Sequence, residues 1–308
     1  FCNTLKLSKQ SAATSMNFSD ARELLWLAVV LYGIAFVIGF LKTFKVEWAS
    51  LRESPLFAIV LGFSFHTRAL YLRGIDVHGC PLGNGLERTQ FILWSLILTY
   101  LILRILWRLN LLGTFCAGLS SLAGCFCLSI SSLDPPYWIS PEYERLFSDH
   151  WIELHASIAI FSYGIFSLLA VVSVMYLVQR KALLSRKFNS LGSFLPPIHD
   201  LEQAGFRLLS IGVFFLTISI VVGGMHWTRQ PEFVTSIKLA ITMAVWAGYT
   251  ILFFLRYGNR LFGSKFAKFA IALFFIAVFS LSFVNSKDAK RQIESRNHSA
   301  PALKLYHD

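Results

Sequence analysis

The stretch SDHWIELHASIAIFSYG, from Ser148 to Gly164, begins a membrane-spanning segment. Beyond Trp151 the chain stays apolar as far as Val178, which is long enough to cross the hydrocarbon core of a bilayer as a helix. His155 lies just inside this segment, where an ionisable side chain is costly and usually faces the bundle interior, a partner or water. The stretch therefore predicts a transmembrane helix and draws attention to its histidine.

The composition of the whole chain indicates an integral membrane protein. Of its 308 residues, 55% are hydrophobic and only 15% are charged, and the mean hydropathy is +0.58. Soluble domains are about a quarter charged. The apolar runs are continuous, whereas the strands of a membrane β-barrel alternate apolar and polar residues. We expect an all-α, polytopic protein embedded in the lipid bilayer, with about eight transmembrane helices.

Eight apolar segments of spanning length can be recognised in the sequence. They lie at 23–42, 55–72, 90–107, 111–131, 151–178, 207–227, 235–257 and 267–284. A polar N-terminal segment, 1–22, precedes this membrane domain of residues 23–284, and we expect Met16 to be the true start. A polar, basic tail, 285–308, follows it.

The distribution of Lys and Arg predicts the orientation of these segments. Basic residues concentrate in the loops that follow the first, third, fifth and seventh segments. The positive-inside rule places those loops in the cytoplasm and both termini outside. His155 and His226 then lie at the outer ends of their segments, and His66 lies within the second segment, toward the outside.

Several function classes are disfavoured by the sequence. The net charge of +11 fits basic cytoplasmic loops, and no basic-aromatic groove or known module indicates nucleic-acid binding. The five cysteines form no CxxC pair, so a thiol-redox motif or zinc site is not expected, and only Cys80 is expected to be exposed. No Ser-His-Asp set, carboxylate pair or phosphate-binding loop is present, so no catalytic residue is predicted.

Two histidines are candidate ligands of heme iron, because neutral imidazole is a common axial ligand. His155 shares a helix face with Ser162 and Tyr163. A hydrogen bond between helices or an interfacial position explains it equally well. His66 is followed by Arg68 and Arg73, either of which could pair with a heme propionate. The alternative is that both arginines extend toward the interface.

Three motifs resemble segments of the CcsA/HemX-type cytochrome c assembly proteins. The first is HGCPLGNGLERTQFILW, residues 78–94, which follows His66 and is similar to the family pattern G-x-x-P-x-x-N-x-x-E-x-x-x-F-x-x-W. The second is the segment with Trp151, His155 and Tyr163. The third is LPPIHDLEQAGFRLLS, residues 195–210. Together the resemblance covers roughly residues 55–285.

The resemblance implies a role in handling heme. CcsA-type members work with a CcsB or ResB membrane protein and present heme outside the membrane to apocytochrome c. By position, His66 matches the transmembrane heme-contacting histidine and His155 the first external axial histidine. The expectation is a multi-pass protein of a bacterial cytoplasmic membrane in system II-type maturation, with heme b as cofactor. It would be at most a subunit of a heme-attachment complex.

The sequence departs from the family after Gly224, where a tryptophan-rich heme-binding stretch is expected. Here the chain reads GGMHWTRQPEF, which keeps Trp227 and offers His226 as a substitute axial ligand. Trp151, Trp138 and Trp227 are candidates for an aromatic floor under a porphyrin. The alternative hypothesis is a HemX-like regulatory or scaffold protein, linked to tetrapyrrole synthesis, that binds no heme.

Overall fold

The computed structural model describes residues 2–43, 54–76, 80–82, 84–107, 110–134, 150–184, 196–227 and 236–285. These residues form eight α-helices: α1 Cys2–Thr43, α2 Ser54–Asp76, α3 Gly85–Trp107, α4 Asn110–Ser129, α5 His150–Leu184, α6 Ile198–Trp227, α7 Ser236–Tyr257 and α8 Gly263–Asn285. A short 3₁₀ turn, Ser131–Leu133, follows α4.

Each predicted apolar segment coincides with one of the eight helices, although 111–131 extends two residues beyond α4 and 235–257 begins one residue before α7. Each helix is long and apolar enough to cross a membrane. The all-α, polytopic prediction is therefore confirmed. Helix α6 begins at Ile198, directly after the Pro196-Pro197 pair, and so includes polar residues that precede the predicted segment. Helix α1 begins at Cys2, so its backbone continues through the polar segment 1–22.

The helices form two groups of four joined along α5. Helices α1 to α4 pack against one another, and α6 and α8 pack on α5, while α7 packs on α6 and α8. Helix α3 connects the two groups by packing against α5. At this contact the backbone of Gly164 lies against Ser95, at a separation that leaves no space for a Cβ atom. Small residues allow such close approach of membrane helices.

Helix α5 is the central element of the fold. Its middle turns are fully buried, and Phe166 stacks on Tyr249 of α7 with ring centroids 3.6 Å apart. The peripheral helices instead present large apolar side chains outward, such as Phe254 on α7 and Phe279 on α8. Outward apolar surface on a multi-pass bundle is the expected contact with lipid. The fold thus brings the N-terminal turns of α5 next to α6 and to the loop before α3.

Candidate functional site

His155 lies at the end of α5 that is predicted to face outside, in contact with α6. Its Nδ1 lies 2.7 Å from the carbonyl oxygen of Ser219 and 3.1 Å from the Ser219 hydroxyl. The hydroxyl donates to the His155 carbonyl oxygen at 3.0 Å. A carbonyl oxygen can only accept, so Nδ1 carries a proton, and in the neutral imidazole the lone pair is then on Nε2. Nε2 has no hydrogen-bond partner among the described residues.

Gly223, one helical turn beyond Ser219 on α6, provides the surface on which the imidazole rests. A Cβ atom at this position would lie 2.6 Å from Nδ1 and 2.8 Å from Cε1 of His155. The neighbouring Gly224 has no atom within 4 Å of the corresponding position. Ser219 and Gly223 are spaced as the small-xxx-small pairs that permit close helix contact. The carbonyl of Ser219 therefore fixes the orientation of the His155 ring, and the missing side chain at Gly223 provides the space that the ring occupies.

The loop before α3 docks onto the same end of α5. The Cys80 amide donates to Glu153 Oε1 at 2.9 Å, and the Ser157 hydroxyl donates to the Cys80 sulfur at 3.3 Å. This docking leaves Cys80 half-buried, and Cys125 on α4 is exposed. The prediction that only Cys80 is exposed is wrong, because the loop folds onto α5 and the Cys125 face of α4 points outward.

Burial raises the pKa of the Cys80 thiol above its ordinary value. The charges of Glu153 and Glu87 raise that pKa further, while the hydrogen bond from Ser157 acts in the opposite direction. The thiol is consequently protonated at neutral pH. A thiolate is the reactive form of cysteine, so the environment of Cys80 suits a structural side chain.

His66 occupies a different environment, inside the α1–α4 group. It is 1% exposed, and its Nδ1 lies 3.4 Å from the Tyr32 hydroxyl on α1. The backbone of Gln90 on α3 is close to the ring, but Nε2 has no partner of hydrogen-bond geometry among the described residues. The imidazole of His66 thus lies between α1, which contributes Tyr32, and α3, which contributes the backbone of Gln90.

Arg73 forms the centre of a buried ion cluster at the end of this group that is predicted to face outside. Its guanidinium donates to Asp134 at 3.0 and 3.2 Å and to Glu87 at 3.4 Å, and its side chain is fully buried. Arg22 of α1 also pairs with Asp134 at 3.0 Å. The structure therefore places Arg73 against protein carboxylates. Arg68, by contrast, is exposed, with its guanidinium 5.5 Å from the centroid of the Tyr71 ring.

Two residues of the first motif form a reciprocal cap at the start of α3. The Glu87 amide donates to Asn84 Oδ1 at 2.7 Å, and the Asn84 amide donates to Glu87 Oε2 at 3.4 Å. This capping box satisfies N–H groups that have no partner within the helix. The Asn84 side-chain amide also donates to Asp134 at 3.1 Å. The N-x-x-E spacing therefore has a local structural explanation that also ties α3 into the ion cluster.

The remaining residues of that motif line an open apolar groove between α2 and α3. Pro81, Phe91 and Trp94 face Tyr71 across a space of about 470 Å³. The Trp94 indole donates to the Thr67 hydroxyl at 2.9 Å, which fixes its orientation. His66 does not line this groove. The motif is thus divided between a helix cap and an outward-facing aromatic wall.

Several predicted site residues lie at the same end of the molecule but are described only in part. Trp151, at the start of α5, is 43% exposed. His226 and Trp227 are in the last turn of α6, just beyond Gly223, and their side chains are outside the described residues. His78, Gly79 and Trp138 also lie outside the described residues. Among the described residues, no group of three or more His, Cys, Asp or Glu side chains is arranged to hold a metal ion.

The sequence analysis missed the residues that hold His155 and those that complete the ion cluster. Ser219 and Gly223 carry a detectable signal in their four-residue spacing of small side chains. Asp134 and Arg22 give no such sequence signal beyond their position at the ends of apolar segments, because 112 positions of the chain separate them.

Comparison with known proteins gives consistent matches. The family model for cytochrome C assembly proteins matches residues 82–289, more than half of the chain. The protein HemX of Brevibacillus brevis is 36% identical over 109 residues, 34% of this chain and 40% of that protein. HemX of Bacillus subtilis (strain 168) is 29% identical over 146 residues, 46% of this chain and 50% of that protein.

A longer alignment is found with the cytochrome c biogenesis protein CcsA of Guillardia theta. It is 25% identical over 258 residues, 76% of this chain and 82% of that protein. The matches to the two HemX proteins span half of those relatives or less.

Proposed function

Because the chain belongs to the cytochrome c assembly protein family, we propose that it handles heme in cytochrome c maturation. It holds heme, as heme b, at the outer face of a bacterial cytoplasmic membrane for attachment to apocytochrome c. A ResB/CcsB-like membrane protein is the proposed partner. Bond formation to the apocytochrome then occurs in the complex, to which this chain contributes the heme-holding surface.

The observation that carries this proposal is the state of His155. Its Nδ1–H is donated to the Ser219 carbonyl at 2.7 Å, which leaves the Nε2 lone pair for a metal. A metal-bound histidine commonly donates its other ring N–H to a carbonyl or carboxylate, which sets its orientation and strengthens it as a ligand. His155 therefore makes the kind of hydrogen bond that histidine ligands of metals commonly make.

The surroundings of His155 fit a flat, largely apolar ligand. Trp151, one turn before it on α5, is 43% exposed, and an indole face can cover porphyrin surface. In the proposal, Trp227 adds to this aromatic surface and His226 supplies the second axial ligand, both from the last turn of α6. Arg68 lies on α2 and not on the two helices that hold His155; because it is exposed, it is the proposed partner of a propionate, since Arg73 is already paired with two carboxylates.

His66 enters the proposal in a different way. Tyr32 and the backbone of Gln90 enclose its imidazole, so it contacts heme only if α1 and α2 separate. In the arrangement described here, His155 is the ligand that is available at the surface. A heme contact at His66 therefore requires a second conformation of the α1–α4 group.

The test is an absorption spectrum of the detergent-purified protein, oxidised and dithionite-reduced, before and after addition of hemin. We expect a Soret band with sharp reduced α and β bands, and we expect His155→Ala to lose or shift them. His199→Ala is the matched control, since His199 is exposed at the opposite end and bonds only Gln203 among the described residues. Protein that takes up no hemin, or equal spectra for both variants, contradicts the proposal.

A second candidate is a HemX-like regulatory or scaffold protein linked to tetrapyrrole synthesis. Two observations favour it: Arg73 is paired with Glu87 and Asp134 within the protein, and two HemX proteins give matches of 36% and 29% identity. This candidate predicts that the purified protein is heme-free and binds no added hemin. It also predicts a protein partner on the basic segment 179–207, of which residues 185–195 lie outside the described residues.

A further inference from the structure

We propose that Gly223 is a positioning residue for His155. A residue without a Cβ atom at this point allows the imidazole to lie on α6 with Nδ1–H on the Ser219 carbonyl. The inference rests on the proposed function, because it concerns how the iron-binding histidine is held. It assigns to α6 a role beyond packing, namely that of fixing the tautomer and direction of a side chain on α5.

The distances determine what a side chain at position 223 would do. Its Cβ would lie 2.6 Å from Nδ1, 2.8 Å from Cε1 and 3.2 Å from Cγ of His155, so three ring atoms are in the way. The imidazole of His155 would then have to rotate or to move away from α6. Either movement lengthens the 2.7 Å contact between Nδ1 and the Ser219 carbonyl.

Loss of that contact has a chemical consequence for the ligand. Without a fixed acceptor, the proton of a neutral imidazole is free to reside on either ring nitrogen. The lone pair of Nε2 then has neither a fixed direction nor the support of a donated Nδ1–H. Removing such outer partners typically lowers metal affinity about 10–100-fold.

The adjacent Gly224 offers a matched control, since nothing lies within 4 Å of its corresponding Cβ position. We expect Gly223→Ala to weaken hemin binding about 10–100-fold and to convert the low-spin spectrum toward high spin. Gly224→Ala makes the same chemical change in the same helical turn and is expected to bind hemin as the unchanged protein does. Equal affinities for the two variants, in protein that loses heme on His155→Ala, overturn the inference.

A heme-free measurement separates this inference from the proposed function. Diethyl pyrocarbonate attaches a carbethoxy group to the unprotonated nitrogen of imidazole. Mass spectrometry of the unchanged protein should therefore show one carbethoxy group on His155, which we expect at Nε2. Gly223→Ala, which frees Nδ1, should accumulate a doubly modified His155, and Gly224→Ala should not. Failure of the unchanged protein to bind hemin rejects the proposed function, whereas identical modification in both variants rejects the positioning role.

A second variant keeps the inference testable if Gly223→Ala does not fold. Ser219→Ala removes the hydroxyl that lies 3.1 Å from Nδ1 but keeps the backbone carbonyl at 2.7 Å. We expect it to lose less hemin affinity than His155→Ala and to keep single modification of His155, because the backbone acceptor of Nδ1–H remains in place. A loss of heme as complete as that of His155→Ala would show that the hydroxyl, rather than the carbonyl and the space at Gly223, holds the ring.

Discussion

The two candidate histidines lie in the same bundle but in opposite surroundings. His155 is half-buried, with Nδ1 on a backbone carbonyl of the neighbouring helix. His66 is 1% exposed, next to Tyr32, two helical turns below the buried ion cluster of Arg73. Whether a histidine in a membrane helix can bind an external ligand thus depends on the acceptor that fixes its tautomer and on its exposure at the surface of the bundle. Only His155 combines a fixed tautomer with a position at the surface of the bundle.

The largest expected effect tests whether the His66 region is held together by its ion cluster. Arg73→Ala leaves Glu87 and Asp134 buried without their central cation. Breaking such a buried pair costs about 3–5 kcal/mol, so we expect a large fall in thermal stability in detergent. The protein that remains folded should keep the spectrum that depends on His155.

The matched control for that change is Arg68→Ala on the same helix. Arg68 is exposed, and its described interaction is the cation–π contact with Tyr71, which contributes about 0.5–1 kcal/mol at such sites. Thermal unfolding of the two variants measures the contrast. Equal losses of stability would show that the buried cluster is not what holds α1 to α4 together.

A smaller effect is expected at the helix cap. Asn84→Ala removes the acceptor of the Glu87 amide and the donor to Asp134. Loss of an N-cap costs about 1 kcal/mol, so the unfolding temperature should fall by less than for Arg73→Ala. Asn84→Ser, which keeps an uncharged N-cap acceptor, should recover part of the loss. A fall in unfolding temperature as large as that of Arg73→Ala would contradict the smaller stabilisation that we assign to the cap.

The smallest effect concerns the reactivity of Cys80 beside the His155 site. Its pKa is raised chiefly by burial and further by the charge of Glu153, so its alkylation should accelerate only at pH above the ordinary thiol range. Glu153→Gln removes a nearby negative charge, lowers this pKa and should speed alkylation at a given pH. Ser157→Ala removes a hydrogen bond that lowers the pKa and should slow it.

The pH profiles of alkylation, followed by mass spectrometry, measure this prediction. Glutathione alkylated in the same reaction is the reference for an ordinary thiol. Shifts in the same direction for Glu153→Gln and Ser157→Ala would contradict the description of the loop docked on α5.

The eight spanning helices could be predicted from the sequence because length and hydropathy decide them locally. The family resemblance could also be recognised, and the family model confirms it. The contacts of His155 could not be predicted, because Ser219 lies 64 positions away and only packing of α5 on α6 brings it close.

The placement of Arg73 shows a second limit of the sequence. Arg73 follows His66 by seven residues, which puts both on one face of the helix. This spacing predicts that Arg73 pairs with a heme propionate. In the structure Arg73 is paired with Asp134 instead, which lies 61 positions further along the chain. Nothing in the local sequence indicates that pairing. By contrast, the Asn84–Glu87 cap spans three positions and follows from a pattern that a sequence can reveal.

The most direct test of the central claim is a hemin titration of the unchanged protein, His155→Ala and His66→Ala, followed in the Soret region. We expect His155→Ala to lose the low-spin spectrum and His66→Ala to bind hemin with the spectrum of the unchanged protein. Loss of binding in His66→Ala with full binding in His155→Ala would instead place the iron inside the α1–α4 group and exclude His155 as the ligand.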